Sequence, residues 1–271
     1  MAVATFFDEA QTSLGKHGVE EGTQSVYTMG FLSMLWGFVF YLIIIISKQE
    51  FLFSLASLPT LGARIVLELI LAHISVLAII HADRSTYSFI RFGTIPLLLI
   101  TDLLLGYTIS TRALIGIGII LMVLILLFMR HEVRKAGMWY VLGTTLLAVA
   151  TLSLFKYNIT HFNSVQAEES IVVGVLLIFF FTKAMFIAKE NPLRLLGKPA
   201  ILGQSLSAGL GNVLMSFAFL YGAASIITTA KRGLGVFWAI LSGNIYFKET
   251  GMIVKFLALI TLIFGLVLTA F

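Results

Sequence analysis

From Val26 onward the chain is a succession of long apolar runs separated by short polar breaks. A hydrocarbon core about 30 Å thick takes roughly 20 apolar residues of helix, and uncharged runs of that order recur to the C-terminus. The pattern predicts spans at about 26–47, 62–81, 86–107, 111–129, 138–156, 169–188, 199–221, 224–246 and 252–271, nine in all. Barrel strands would give short alternating segments instead, so the predicted fold is all-α and polytopic. Phe51 to Leu58 is apolar but too short to cross and is predicted to be interfacial. Residues 1–24 set Asp8, Glu9, Glu20 and Glu21 against Lys16 and lack the basic start and apolar run of a signal peptide. They read as a polar tail, with an amphipathic surface helix carrying Phe6 and Phe7 as the other reading.

Composition supports the same class. Of 271 residues, 59% are hydrophobic and 11% charged, with a mean hydropathy of +1.02. A soluble domain carries about a quarter charged residues, so lipid is the solvent. In a soluble protein the net charge of +5 would point to nucleic acid; here it reflects basic loops facing a cytoplasm. With no cysteine, disulfides, thiolate metal sites and cysteine nucleophiles are excluded. No metal site or cofactor is predicted.

Sliding the second half over the first by about 140 residues aligns Lys48 with Lys189, Pro59 with Pro199, and Arg91 with Lys231 or Arg232. This predicts a first repeat over 25–130 with four spans, a basic linker at 131–137 and a second repeat over 138–271 with five. The helix at Met138 to Lys156 has no counterpart in the first half, where the polar tail stands. Lysines and arginines collect on one side (Lys16, Arg84, Arg130, Arg134, Lys135, Lys189, Arg194, Lys198, Lys248, Lys255), with Lys48, Arg64, Arg112 and Lys156 on the other. The rule that basic loops stay inside puts the N-terminus in the cytoplasm and the C-terminus outside a cell or inner membrane. The sequon Asn158-Ile-Thr160 then falls on the outer side.

The stretch from Thr228 to Glu249, TTAKRGLGVFWAILSGNIYFKE, followed by an apolar run to Phe271, resembles the end of an EamA-type repeat. Arg91 to Phe128, with Gly106 and Gly116, resembles the matching part of a first repeat. Together they resemble the drug/metabolite transporter superfamily. The resemblance implies a helical bundle of two repeats enclosing a substrate cavity; ten helices with both termini in the cytoplasm are usual there, one helix more than the nine predicted here. Lys231-Arg232 is similar to the Lys-Arg pair with which phosphate-type translocators of this superfamily hold an anion.

Charges within apolar runs are costly, about 2.5 to 3.5 kcal/mol each, and often mark a pathway. Lys231 and Arg232 lie eight or nine residues into their helix, about 12 Å at 1.5 Å per residue, and Gly235, Ala239 and Ser242 continue their face. They are candidate substrate ligands, joined by Arg91, which is shallow enough to snorkel, and by Gln204 and Asn212 on a helix rich in small residues. Close helix packing is the competing reading of that helix. His73, Glu68 and Asp102 are candidates for proton coupling. Glu68 and His73 sit about 140° apart on one helix, and Asp102 shares a face with Arg91 roughly 16 Å away. Pro96 between them predicts a kink. Lys183 reads as a snorkelling residue at a helix end, and Glu249 is given no role.

The expected function is secondary transport of a small, anionic metabolite by alternating exposure of the two repeats. The alternative is a non-transporting subunit or scaffold of a larger membrane complex, favoured by the absent first helix. An enzyme is not expected: His81 and Asp83 beside Arg84 are the only acid-base candidates near an interface, with no second acid at ligand spacing. The partners expected are the metabolite, membrane lipid, and a second copy or a partner membrane subunit, with no nucleic acid.

Overall fold

The computed structural model describes residues 1–20, 22–82, 87, 90–128, 137–247 and 252–270. Its elements are helices α1 (Ala2–Glu20), α2 (Val26–Lys48), a 3-10 turn (Leu55–Ser57), α3 (Leu58–His81), α4 (Thr94–Leu104), α5 (Thr111–Phe128), α6 (Met138–His161), α7 (Val165–Lys183) with a π turn at Ala184–Ala188, α8 (Pro192–Leu195), α9 (Pro199–Ala218), α10 (Ala224–Phe247) and α11 (Met252–Ala270). No strand occurs among the described residues. Among the described residues, five segments are long and apolar enough to cross a membrane: Val26–Lys48, Leu55–Ala78, Met138–His161, Val165–Ala188 and Pro199–Ala218. The protein is a multi-pass helical membrane protein. Most of the linker at 131–137, together with Asp83, Arg84, Arg130, Lys248 and Glu249, lies outside the described residues.

The first 20 residues are not a tail. They form α1, which packs on α9 and α10. Two sequence features make this possible. Gly211 of α9 lets the α1 backbone approach so closely that a Cβ there would lie 3.1 Å from the Ala4 carbonyl oxygen and 3.3 Å from the Asp8 nitrogen. Trp238 of α10 donates its indole N–H to the Ala2 carbonyl oxygen and Thr5 Oγ1, while its ring meets Phe6 edge-on. These contacts dock the segment against protein although its acids give it a polar composition, which a plain hydropathy scan does not register.

Packing joins α1 to α9, α3 to α6, α2 to both α7 and α9, α4 to α10 and α5 to α11. The closest approaches are made at glycine: Gly209 of α9 against Trp36 and Gly37 of α2, and Gly116 of α5 against Gly265 and Thr269 of α11. Small residues on α9 therefore serve helix contact, and Ser205 adds a hydrogen bond to the Leu32 carbonyl at 2.6 Å. Pro96 acts as expected. Its ring crowds the carbonyl four residues back, that of Phe92, and the helical path is broken by a turn at Phe92–Gly93. Among the described residues, two that are not glycine adopt left-handed backbone, Gln49 closing α2 and Lys189 following the π turn. Pro59 and Pro199 both sit in the first turn of their helices, where a missing N–H costs nothing.

Candidate functional site

The sequence places two basic segments, Arg91 and Lys231-Arg232, on chain stretches that the fold packs together, since α4 lies against α10. Arg91 donates to the Thr144 carbonyl at 3.3 Å, and its guanidinium lies 5.7 Å from the Tyr87 ring centroid. Arg232 is within electrostatic reach of Arg91, Tyr87 and Asp8. The Nε of each arginine is buried with no hydrogen-bond partner. Lys231 pairs with Asp8 of α1 at 2.7 Å, both side chains a little over one-third exposed. Asp8 is thus a member of this group that the tail reading concealed. Gly235, one turn on from Arg232, faces open space: a Cβ there would meet no atom within 4 Å.

A second group escaped the sequence reading. Arg64 of α3, read there as an outer-loop cation, is only 4% exposed. It donates through Nη1 to Glu168 Oε1 at 3.1 Å and through Nη2 to Glu169 Oε1 at 2.5 Å, both on α7. Its guanidinium covers the Phe155 ring at 4.5 Å. Glu168 also accepts from Asn158 at 2.8 Å and Asn163 at 2.7 Å. Asn158 in turn accepts from Thr60, and Asn163 bonds Ser57 and the Ser54 amide. Asn158 is fully buried in this network, so the sequon is no glycan acceptor in the folded protein. The signal available in sequence was the adjacent Glu168-Glu169 at the head of an apolar run, with no basic residue nearby in the chain.

Asp102, expected to titrate or to sit at an interface, is fully buried, and its Oδ2 accepts the Ser225 amide at 2.6 Å. Ser225 lies in the first turn of α10, so the carboxylate meets the positive end of that helix. Lys156 makes the complementary contact, donating to the Phe219 carbonyl at 2.6 Å just past α9. An acid on one helix start and a base on the preceding helix end hold the α9–α10 turn. Asp102→Ala should therefore cost about 0.5 to 2 kcal/mol, as for a lost helix cap, and Asp102→Asn less. Thermal unfolding in detergent measures both.

The other candidates lie elsewhere. Gln204 accepts from Gln24 at 2.9 Å in the α1–α2 connection, and the Asn212 amide packs against Gly37 of α2. His73 is exposed on α3. Glu68 lies within electrostatic reach of Arg64, Glu169 and, more weakly, Arg91, with the Thr151 hydroxyl beside it. At the end of the bundle where α2 begins, Glu190 Oε2 accepts from Thr28 Oγ1 at 2.5 Å and the Ser25 amide at 2.9 Å. Partial burial works to raise the Glu190 pKa, but these hydrogen bonds outweigh it and hold the carboxyl below its usual range. Beside it a cleft of about 510 Å³ is lined by Thr23, Lys189, Glu190, Asn191 and Arg194. An apolar groove of about 450 Å³ runs along Ala2, Leu234, Phe237, Trp238 and Ile263, on residues with none of the cationic chemistry. Among the described residues no group of three or more histidine or acidic side chains is arranged to hold a metal.

No family model matches the chain, and no curated protein matches it. Its fold is similar to that of a solved protein crystal structure, with a TM-score of 0.69 over 98% of this chain and 95% of that one, at 8% sequence identity. At that identity the likeness concerns the fold alone.

Proposed function

We propose that this protein is a secondary transporter of a small anionic metabolite, of the drug/metabolite transporter kind, and not an enzyme. The observation that carries the reading is that Arg91, just ahead of α4, and Arg232 of α10 lie within electrostatic reach of each other, each with a buried, unpartnered Nε. Like charges held together in a low-dielectric interior repel. A site that tolerates them gains most from an anion, which guanidinium groups bind through charge-assisted hydrogen bonds. Lys231 is already matched by Asp8, so the arginines carry the binding and Lys231 tunes it.

Alternating access requires two related halves. Supporting that reading, the left-handed residues Gln49 and Lys189 are separated by the same interval of about 140 that relates the halves in sequence, as are the helix-opening prolines Pro59 and Pro199. The packing of α1 on α9 mirrors that of α6 on α3. We therefore assign α1 the place of the first helix of the first repeat, giving two inverted sets of five. This removes the argument for a scaffold that borrows a helix from a partner. Counting α1 as a crossing keeps the basic loops cytoplasmic and brings the N-terminus to the side of the C-terminus.

The test is counterflow in proteoliposomes, using the anion that most raises the thermal midpoint in a screen of anionic, zwitterionic and cationic metabolites. A charge-assisted hydrogen bond contributes about 1.5 to 3 kcal/mol, so Arg232→Ala and Arg91→Ala should each lower uptake at least tenfold, and Lys231→Ala less. Unchanged uptake in both arginine variants ends the proposal.

A further inference from the structure

The apolar span that contains α7 ends at Ala188, and the chain reverses at the next residue. Lys189 closes the π turn with a left-handed backbone, φ +56°, and the Glu190 amide donates back to the Ala184 carbonyl at 3.0 Å. Glycine takes that backbone conformation freely, whereas a side chain is disfavoured there. A lysine held in it sets a cation one residue past the hydrocarbon layer, at the level of the lipid headgroups.

The polar cleft of about 510 Å³ opens at this point, between the π turn, α8 and the α1–α2 connection. Its cations are Lys189 and Arg194, both exposed. Among the described residues neither has an acidic partner: the ion pairs join Arg64 to Glu168 and Glu169, and Lys231 to Asp8. Glu190, the acid of the cleft, already holds the Thr28 hydroxyl and the Ser25 amide through Oε2. Asn191 accepts from the Leu193 amide through Oδ1 at 3.1 Å, which leaves its NH2 group to donate. Two cations against one carboxylate give the lining a net charge of +1. Apolar groups frame the same cleft: Met185 and Leu195 line it, and Phe186, Ile187 and Leu193 beside them are exposed, as residues that meet acyl chains are.

We propose that this cleft is a binding site for an anionic phospholipid, with Lys189 and Arg194 on its phosphodiester, Asn191 donating to the headgroup, and the acyl chains on the apolar rim around Met185. Cations pair with phosphate oxygens through charge-assisted hydrogen bonds, and a surplus of one positive charge matches a headgroup with one negative charge. A zwitterionic lipid would bring an ammonium against the same cations, and a free phosphate has no hydrocarbon for the rim. With the basic loops in the cytoplasm this is the inner leaflet, whose anionic lipids give it a negative surface. The site stands apart from the transport reading. It also bears on the bundle, because Glu190 of the same cleft ties the end of α7 to the start of α2, so a lipid bound there stabilises the conformation in which that tie is made.

Thermal unfolding of the detergent-purified full chain, with native mass spectrometry to count bound lipid, tests the site without transport. Phosphatidylglycerol should raise the midpoint by several degrees and remain bound, whereas phosphatidylcholine and inorganic phosphate at the same concentration should do neither. Replacing both cations, Lys189→Ala with Arg194→Ala, should weaken phosphatidylglycerol binding by about tenfold or more. Lys48→Ala, which removes an exposed cation at the opposite end of α2, should leave it unchanged. The lipid selectivity of the wild type is a test in its own right should the double variant fail to fold. Equal stabilisation by phosphatidylcholine or by inorganic phosphate overturns the proposal, as does undiminished phosphatidylglycerol binding in the double variant.

Discussion

Arg64→Ala is expected to destabilise the protein by about 3 to 5 kcal/mol, the usual cost of removing one partner of a buried ion pair. The loss is large because Glu168 and Glu169, almost fully buried, would be left facing each other with no cation. Arg64 also stacks on Phe155, so truncation opens a void beside the ring as well. Arg64→Lys retains the charge but not the two-pronged geometry that reaches both acids, and it should fall between wild type and alanine. Heating the purified protein in mild detergent and following the monodisperse fraction gives the ranking. An alanine variant that melts within a degree or two of wild type would show that the network does not hold the bundle together.

The second large effect is steric. Gly209 faces the backbone of α2, where a Cβ would lie 2.6 Å from Trp36 Cβ and 2.7 Å from the Gly37 nitrogen. No rotamer relieves a clash with backbone, so even Gly209→Ala must push α2 and α9 apart. Overpacking costs about 1 to 3 kcal/mol, and Gly209→Leu should exceed that range and reduce folded yield. The same substitution at Gly203, whose Cβ would meet nothing within 4 Å, serves as the control: the two glycines lie on one helix, so equal tolerance would mean that α2 and α9 are not in contact as described.

Much of the fold was legible because lipid imposes a length on apolar runs, and the five qualifying segments each overlap a predicted span, with ends displaced by up to seven residues. The cation group was legible for a related reason: a charge in an apolar run has to be explained. What escaped notice lies at helix ends and in α1. Arg64, Lys156 and Glu168 stand close enough to apolar boundaries to pass for loop residues, and a hydropathy window records depth along a helix without recording what stands beside it. Arg64 is neutralised by residues more than a hundred positions away, which no local pattern reveals. The α1 segment failed for the converse reason. Its acids give it the composition of a tail, yet one of them is the partner of Lys231, so its polarity is complementary to a neighbour and not to water.

Hydrogen bonds tie the amino-terminal and carboxy-terminal portions of the chain at both ends of the bundle, but with unequal permanence. Where α3 and α7 begin, the tie is an enclosed knot of charge. At the opposite end it is the Glu190 carboxylate, partly open to water and held by one hydroxyl and one amide, together with the Gln24–Gln204 pair. Water can replace the partners of an accessible clasp at small cost, and acid weakens it by neutralising Glu190. Of the two ties, the one beside Lys189 and Arg194 is therefore the end that solvent and acid reach, and the charge knot at the other end is sealed from both.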